Sequence, residues 1–239
     1  MTSILKNSNI NLHKKNNIYG LEIKNTNDHT NKVLFESLLL ENYVKTVLQT
    51  KCTRSKTCKI EFKANKVMTL SNLIKNKYLD YWNLVSLFIC MMDQLNFLYN
   101  ENIGVLFFDL DHVIAIQADS KDKFFKFIYV NTDHLFEINE NKLNITRSFD
   151  KKKKSIFLSP ELITLNYLPF EVHFKTSYFS LAMLITYCIN GERVNFLKPI
   201  SWKVDDYKKI LEPVDNTKLF WALVRCLQIE PQDRFLLWI

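Results

Sequence analysis

Only three glycines occur in the 239 residues, Gly20, Gly104 and Gly191, and no two of them lie within fifty positions of each other. A loop that wraps a nucleotide phosphate needs clustered glycines, because the backbone must turn tightly and come close to the anion. P-loop and dinucleotide-binding fingerprints are therefore absent from this chain. The chain is still built to pack. It is 47% hydrophobic and holds 18 Phe, 10 Tyr and 4 Trp, which excludes general disorder and provides for one good-sized core or two small lobes.

The first twenty residues contain no apolar run long enough for a signal peptide. The most apolar stretch, Leu84 to Leu98, is broken by Asp93, Gln94 and Asn96 and is too short to span a bilayer. Five cysteines (Cys52, Cys58, Cys90, Cys188 and Cys226) form no CxxC pair. Cys90, Cys188 and Cys226 fall inside apolar helical patterns and read as buried free thiols. Cys52 and Cys58 lack His or Cys partners at ligand spacing, so no metal is expected. A reducing, intracellular setting, cytoplasmic or nuclear, is the expectation.

Charge is unevenly distributed. Residues 1–78 carry 14 Lys and Arg against 5 Asp and Glu, while the remainder is slightly acidic, for a total of +7. The basic cluster Lys51, Arg54, Lys56, Lys59, Lys63 and Lys66 suits nucleic acid, an acidic protein or an acidic surface. Lys outnumbers Arg 27 to 5, and Asn and Ile are abundant, so a purely compositional origin for this charge also stands.

Patterning gives the order of elements. Residues 1–17 are Asn- and Lys-rich and read as a loose basic tail. Tyr19–Lys24 reads as a strand, and Asn25–Asn31 as a turn. Lys32–Gln49 carries a helical stripe. Lys51–Lys59 is a basic loop, and Cys58–Phe62 suits a strand. Thr69 opens a short helix over Asn72–Lys77. Leu84, Leu87, Phe88, Met91, Leu95 and Leu98 recur at helical spacing. Strands are expected at Val105–Phe108, Val113–Ile116 and Phe124–Val130. Lys151–Lys154 is a basic run, Ser180–Ile189 a helix apolar on all sides, and Leu219–Leu227 a last helix. A few strands followed by helices argue an α+β fold.

Several segments in this order resemble the protein kinase superfamily. FFDLDHVIAI (107–116) stands where kinases carry H-R-D-L-x-x-x-N, and SPE (159–161) resembles A-P-E. YFSLAMLITYCINGERVNF resembles the buried central helix and its exit. CLQIEPQDRFLL (226–237) is similar to the ending in which Cys-Leu precedes Pro, two residues and Arg. The resemblance implies a reduced N-terminal lobe over 18–68 and a larger, mostly helical C-terminal lobe over 69–239. It further implies a buried ion pair between Glu161 and Arg234, which a planar guanidinium and a carboxylate make bidentate.

The same resemblance exposes what is missing. Phosphoryl transfer needs cradled phosphates, bound magnesium and an oriented nucleophile. No glycine loop precedes LEIK (21–24), the segment resembling V-A-I-K. Lys24 is the candidate phosphate lysine, although a solvated strand lysine is the plainer reading in a chain this rich in lysine, and Glu36 or Glu41 is the candidate helix glutamate. Asp109 matches the catalytic-loop Asp, but Phe107-Phe108 replaces His-Arg, and Ile114 stands where the magnesium-binding Asn belongs. Asn131-Thr132-Asp133 replaces D-F-G, and an amide is a poorer ligand than a carboxylate for a hard cation.

The resemblance therefore implies a pseudokinase: a scaffold or regulator acting through a protein partner, such as an active kinase or an acidic protein. It needs no cofactor, though ATP binding without magnesium stays open. Two alternatives accompany it. One is a divergent ATP-dependent kinase using Lys24, Asp109 and Asp133. The other is a binder of nucleic acid or acidic surfaces through residues 1–78.

Overall fold

The computed structural model describes residues 2–6, 10–16, 18–23, 40–45, 53–54, 59–149, 155–191 and 209–238. The chain forms two compact units. Met1–Phe97 and Leu110–Asp133 make the first; Leu98–Asp109 and His134–Ile239 make the second.

The first unit contains a five-stranded antiparallel sheet: β1 (Thr2–Lys6), β2 (Ile10–Lys15), β3 (Ile18–Ile23), β4 (Thr53–Arg54) and β5 (Lys59–Lys63), in the order β1-β2-β3-β5-β4. The expected loose tail is thus corrected, since residues 2–15 supply two strands. Its strand signal is half hidden, because only alternate residues face the core. Ile10 and Leu12 are buried with Leu21, Ile60 and Phe62, in the register Leu12↔Leu21↔Ile60. Polar Asn11 and Lys15 alternate with them and give the segment its tail-like composition. Asn16, at φ 57°, makes the turn between β2 and β3, a left-handed position that Asn tolerates.

A three-stranded antiparallel sheet completes the strands of this unit: β6 (Lys66–Thr69), β8 (Val113–Gln117) and β9 (Lys126–Tyr129), ordered β6-β8-β9. Ile114, Ile116 and Ile128 join the same core as the five-stranded sheet. Of the expected helix over 32–49, residues 40–45 (α1) are described and helical. Helix α2 (Leu70–Lys75) begins where Thr69 Oγ1 accepts the Asn72 N–H, a side-chain cap.

Helix α3 (Tyr81–Asn100) buries the stripe Leu84, Leu87, Phe88, Met91, Leu95 and Leu98, and its Phe97 packs against this core. Two side chains tie α3 to the segments of the three-stranded sheet, and a third ties it to α1. Gln94 both donates to the Tyr129 carbonyl and accepts its N–H, each at 2.8 Å. Ser86 Oγ donates to the Phe125 carbonyl (2.6 Å). The Tyr43 hydroxyl of α1 donates to the Cys90 carbonyl (2.5 Å).

In the second unit β7 (Ile103–Val105), β10 (Leu135–Asn139), β11 (Lys142–Ile145) and β12 (Phe170–His173) form a sheet ordered β12-β11-β10-β7. The expected strand 105–108 stops at Val105. Phe107 and Phe108 leave the ladder because both rings turn fully into the core. Gly104 is required by close approach, since a Cβ there would sit 2.5 Å from Leu143 Cδ2. Its described helices include α4 (Pro160–Ile163), α5 (Thr176–Asn190) and α6 (Lys218–Cys226). Ten residues of α5 from Thr176 to Thr186 are buried, as an all-round apolar helix requires. Gly191, at φ 62°, ends it.

Candidate functional site

Asp109 belongs to the second unit, Asn131 and Asp133 to the first, and each is described within its own unit. Asp109 is 4% exposed and follows two fully buried phenylalanines. The Phe108 N–H donates to Ser180 Oγ (2.7 Å), which pins the segment to α5. Phe107 stacks at a tilt on His134, with centroids 4.0 Å apart, and meets Phe149 at 5.5 Å. His134 Nδ1 donates to the Phe107 carbonyl (3.2 Å), while the His134 carbonyl accepts the Leu106 N–H (2.8 Å). Its Nδ1 also lies 3.9 Å from Asp109 Oδ2. The Asp109 carboxylate is thus buried, with the His134 imidazole beside it. The sequence reading overlooked His134, which stands directly after the Asn-Thr-Asp triplet.

The counterpart in the first unit is a closed turn. The Asp133 N–H donates to Asn131 Oδ1 (3.0 Å), and Asn131 Nδ2 lies 3.4 Å from His112 Nδ1. The Val130 N–H donates to the His112 carbonyl (2.9 Å). Asn131 is buried, while Asp133 is exposed. The amide oxygen at the first position of the triplet is thus engaged in shaping the turn, as Asx turns do. Ile114 is fully buried in β8 between Thr69 and Ile128. Asp109 and Asp111 flank the start of a 3-10 turn over Leu110–His112, with Asp111 exposed. Among the described residues no three His, Cys, Asp or Glu side chains gather closely enough to hold a metal.

Lys24, Glu36, Lys51, Lys56 and the run 151–154 lie outside the described residues, as do Cys52 and Cys58. Leu21 to Ile23 of the LEIK segment close β3. Where V-A-I-K has a methyl group, Glu22 stands here and accepts a hydrogen bond from Asn11 Nδ2 (3.4 Å). Residues 20 and 22 share the outer sheet face with His13, Lys59, Glu61 and Lys63. Gly20 leaves the space that the His13 ring fills; a Cβ would meet His13 Nε2 at 2.5 Å. Burial, together with the Lys59 ammonium, lowers the His13 pKa.

The basic cluster is divided by the fold. Arg54 is in β4; Lys59 and Lys63 lie on one face of β5, where Lys59 pairs with Glu61; Lys66 begins β6 and sits 4.1 Å over the Tyr78 ring. Glu41 is buried and pairs with Lys45 one helical turn on (2.7 Å). The described thiols are poor nucleophiles: burial raises the pKa of all three and pushes Cys226 up to about 12.

Glu161 and Arg234 are brought together. Arg234 Nη1 and Nη2 donate to the two Glu161 carboxylate oxygens at 2.6 and 2.9 Å. The guanidinium is fully buried and also donates to the carbonyls of Gln228 (2.7 Å), Ile229 (2.6 Å) and Lys175 (3.3 Å), above the Phe179 ring. Ser159, ahead of α4, hydrogen-bonds Thr176 at 2.6 Å, which ties the S-P-E segment to α5.

This arrangement defines the class: the chain has an α+β, protein kinase-like fold. A solved structure described as "Titin kinase and its flanking domains" superposes with a TM-score of 0.56 at 13% identity, covering 98% of this chain and 44% of that one. The chain therefore spans less than half the length of that structure, and at this identity the likeness is one of fold. No family model and no curated protein matches the sequence.

Proposed function

We propose that this chain is a pseudokinase, a kinase-like domain without phosphoryl transfer that acts as a scaffold or regulator through protein contacts. One observation carries the reading. At the position of the D-F-G carboxylate, Asn131 brings a neutral amide, whose oxygen accepts the Asp133 N–H and shapes a turn. A hard cation such as magnesium is held by carboxylate oxygens in preference to a neutral amide.

Other residues support the same reading. The residues described do not fit a magnesium nucleotide: Phe107 and Phe108 replace the basic pair, and Ile114 is a core side chain. Glu22 brings a hydrogen-bonded carboxylate to the outer face of β3 where a methyl would lie against a base. The ion pair that shapes the helical unit needs no chemistry to justify it, because it satisfies buried backbone groups. Partner binding is therefore the function left to a fold maintained in this way, in a reducing compartment that suits its buried free thiols.

Thermal shift of the full chain with ATP, with and without magnesium, beside mass-spectrometric detection of autophosphorylation, tests the reading. No phosphorylated product and no magnesium-dependent shift are expected. A product that disappears in Asp109→Asn would establish the divergent kinase instead.

A further inference from the structure

We propose that the hairpin end of the three-stranded sheet, together with the loop leading into α3, binds single-stranded nucleic acid. Three large rings face solvent here: Trp82 is 59% exposed, Tyr78 49% and Phe124 40%. Scattered exposed rings are ordinary, but a group of them marks a binding surface. Trp82 and Phe124 have centroids 6.3 Å apart and planes inclined by 39°, with Tyr81 edge-on to Trp82 at 5.3 Å. The two rings lie against each other, and their exposed faces offer surface on which bases can stack.

The platform is held in place. Asn83, itself buried, donates from Nδ2 to the Tyr78 carbonyl (3.2 Å) and to Asp80 Oδ1 (2.9 Å), and its Oδ1 accepts the Phe125 N–H (3.0 Å). One amide thereby fixes the loop before α3 against the segment bearing Phe124. A rigid ring loses little freedom when a base stacks on it.

The charge around the rings is positive and available. The register pairs Lys66 with Gln117 and Ile116 with Lys126, so both lysines lie at the hairpin end, and the connecting loop adds Lys121 and Lys123. The nearby acids are turned into local backbone. Asp80 caps α3 by accepting the Asn83 N–H (2.8 Å), Asp119 accepts the Lys121 N–H (3.0 Å), and Asp122 accepts the Asp119 N–H (2.8 Å). Among the described residues no carboxylate pairs with Lys66, Lys121 or Lys123. Lysines beside solvent-facing rings suit a phosphate backbone with splayed bases. An acidic peptide uses the charge but not the rings. Of the basic residues noted in the sequence, only Lys66 belongs to this surface.

Fluorescence anisotropy of a labelled oligothymidylate with the full chain tests the proposal. Binding should weaken steeply between about 50 and about 200 mM salt. Trp82→Ala should weaken it about tenfold, with Trp82→Phe near the parent. The triple variant Lys66→Glu, Lys121→Glu and Lys123→Glu should lose affinity and flatten the salt dependence, while Lys218→Glu should do neither. Unchanged melting temperatures of these surface variants show that folding is not the cause. Absence of binding at low salt, or Trp82→Ala binding as tightly as the parent, overturns the proposal. Polyglutamate competing as well as the oligonucleotide also overturns it and assigns the face to an acidic protein.

Discussion

Two segments of the second unit, the Glu161–Arg234 clamp and the run Phe107 to Asp109, both lie where the sequence resembles kinase motifs, and they are built from opposite chemistry. In the clamp, a charged group is wholly buried and every bond it needs is supplied: two carboxylate oxygens and three carbonyls surround one guanidinium. In the other segment, Phe107 and Phe108 stand where the resemblance would place His and Arg, and the Asp109 carboxylate is buried beside the His134 imidazole. The clamp organises backbone, so its worth is independent of any reaction. The Asp109 segment has worth in catalysis only if substrate reaches it. Their divergence is the physical content of the pseudokinase proposal.

The clamp gives the largest expected effect. Arg234→Ala strands the Glu161 carboxylate and three buried carbonyls, and should lower the unfolding free energy in urea by about 3–5 kcal/mol. Lys218→Ala, on an exposed turn of α6, should stay within about 0.5 kcal/mol. The double variant Glu161→Ala/Arg234→Ala should lose less than the sum of the singles, with a coupling of about 0.5–3 kcal/mol. Strictly additive losses would mean that the two side chains do not act as a unit.

The aromatic replacement should behave as packing rather than chemistry. Phe107→Leu keeps most of the apolar volume but removes the ring contacts to His134 and Phe149. A loss of about 0.5–1.5 kcal/mol is expected from denaturation midpoints, with partner binding unchanged. A loss of binding at unchanged stability would give this segment a functional role and erase its contrast with the clamp.

The smallest effect is a pH slope in the first unit. Burial and Lys59 lower the His13 pKa below its ordinary 6.5, against the weaker pull of Glu22 and Glu61. The unfolded chain therefore takes up the proton first as pH falls. Stability from this group is complete above about pH 6.5 and is lost as pH drops towards the folded value. His13→Asn should flatten the stability profile between about pH 7 and pH 5. His173, lowered by burial and by Lys175 and Arg234 against the pull of Glu161, contributes a slope of the same sign.

Sequence periodicity disclosed the elements whose stripe is continuous: α3, α5 and α6, together with the Thr69 cap of α2. It missed β1 and β2, where core residues alternate with Asn and Lys, and β10 to β12, which are four or five residues long. Short antiparallel strands are specified by their partners, and a single chain of letters does not show which partner that is. At the candidate site, Glu161 and Arg234 were legible because their motifs fix both spacing and chemistry. His134 and Asn83 were not, since each acts through backbone groups distant in sequence. The solvent-facing rings Tyr78, Trp82 and Phe124 were not legible either, because apolar residues in a row read as core.

The most direct test of the central claim is calorimetric titration of the full chain with ATP, in magnesium and in EDTA, followed by a phosphotransfer assay on the same sample. The account predicts that magnesium adds nothing to any nucleotide affinity, that no phosphate is transferred, and that Asp109→Asn leaves partner binding intact. Magnesium-strengthened binding with transfer abolished by Asp109→Asn would contradict it.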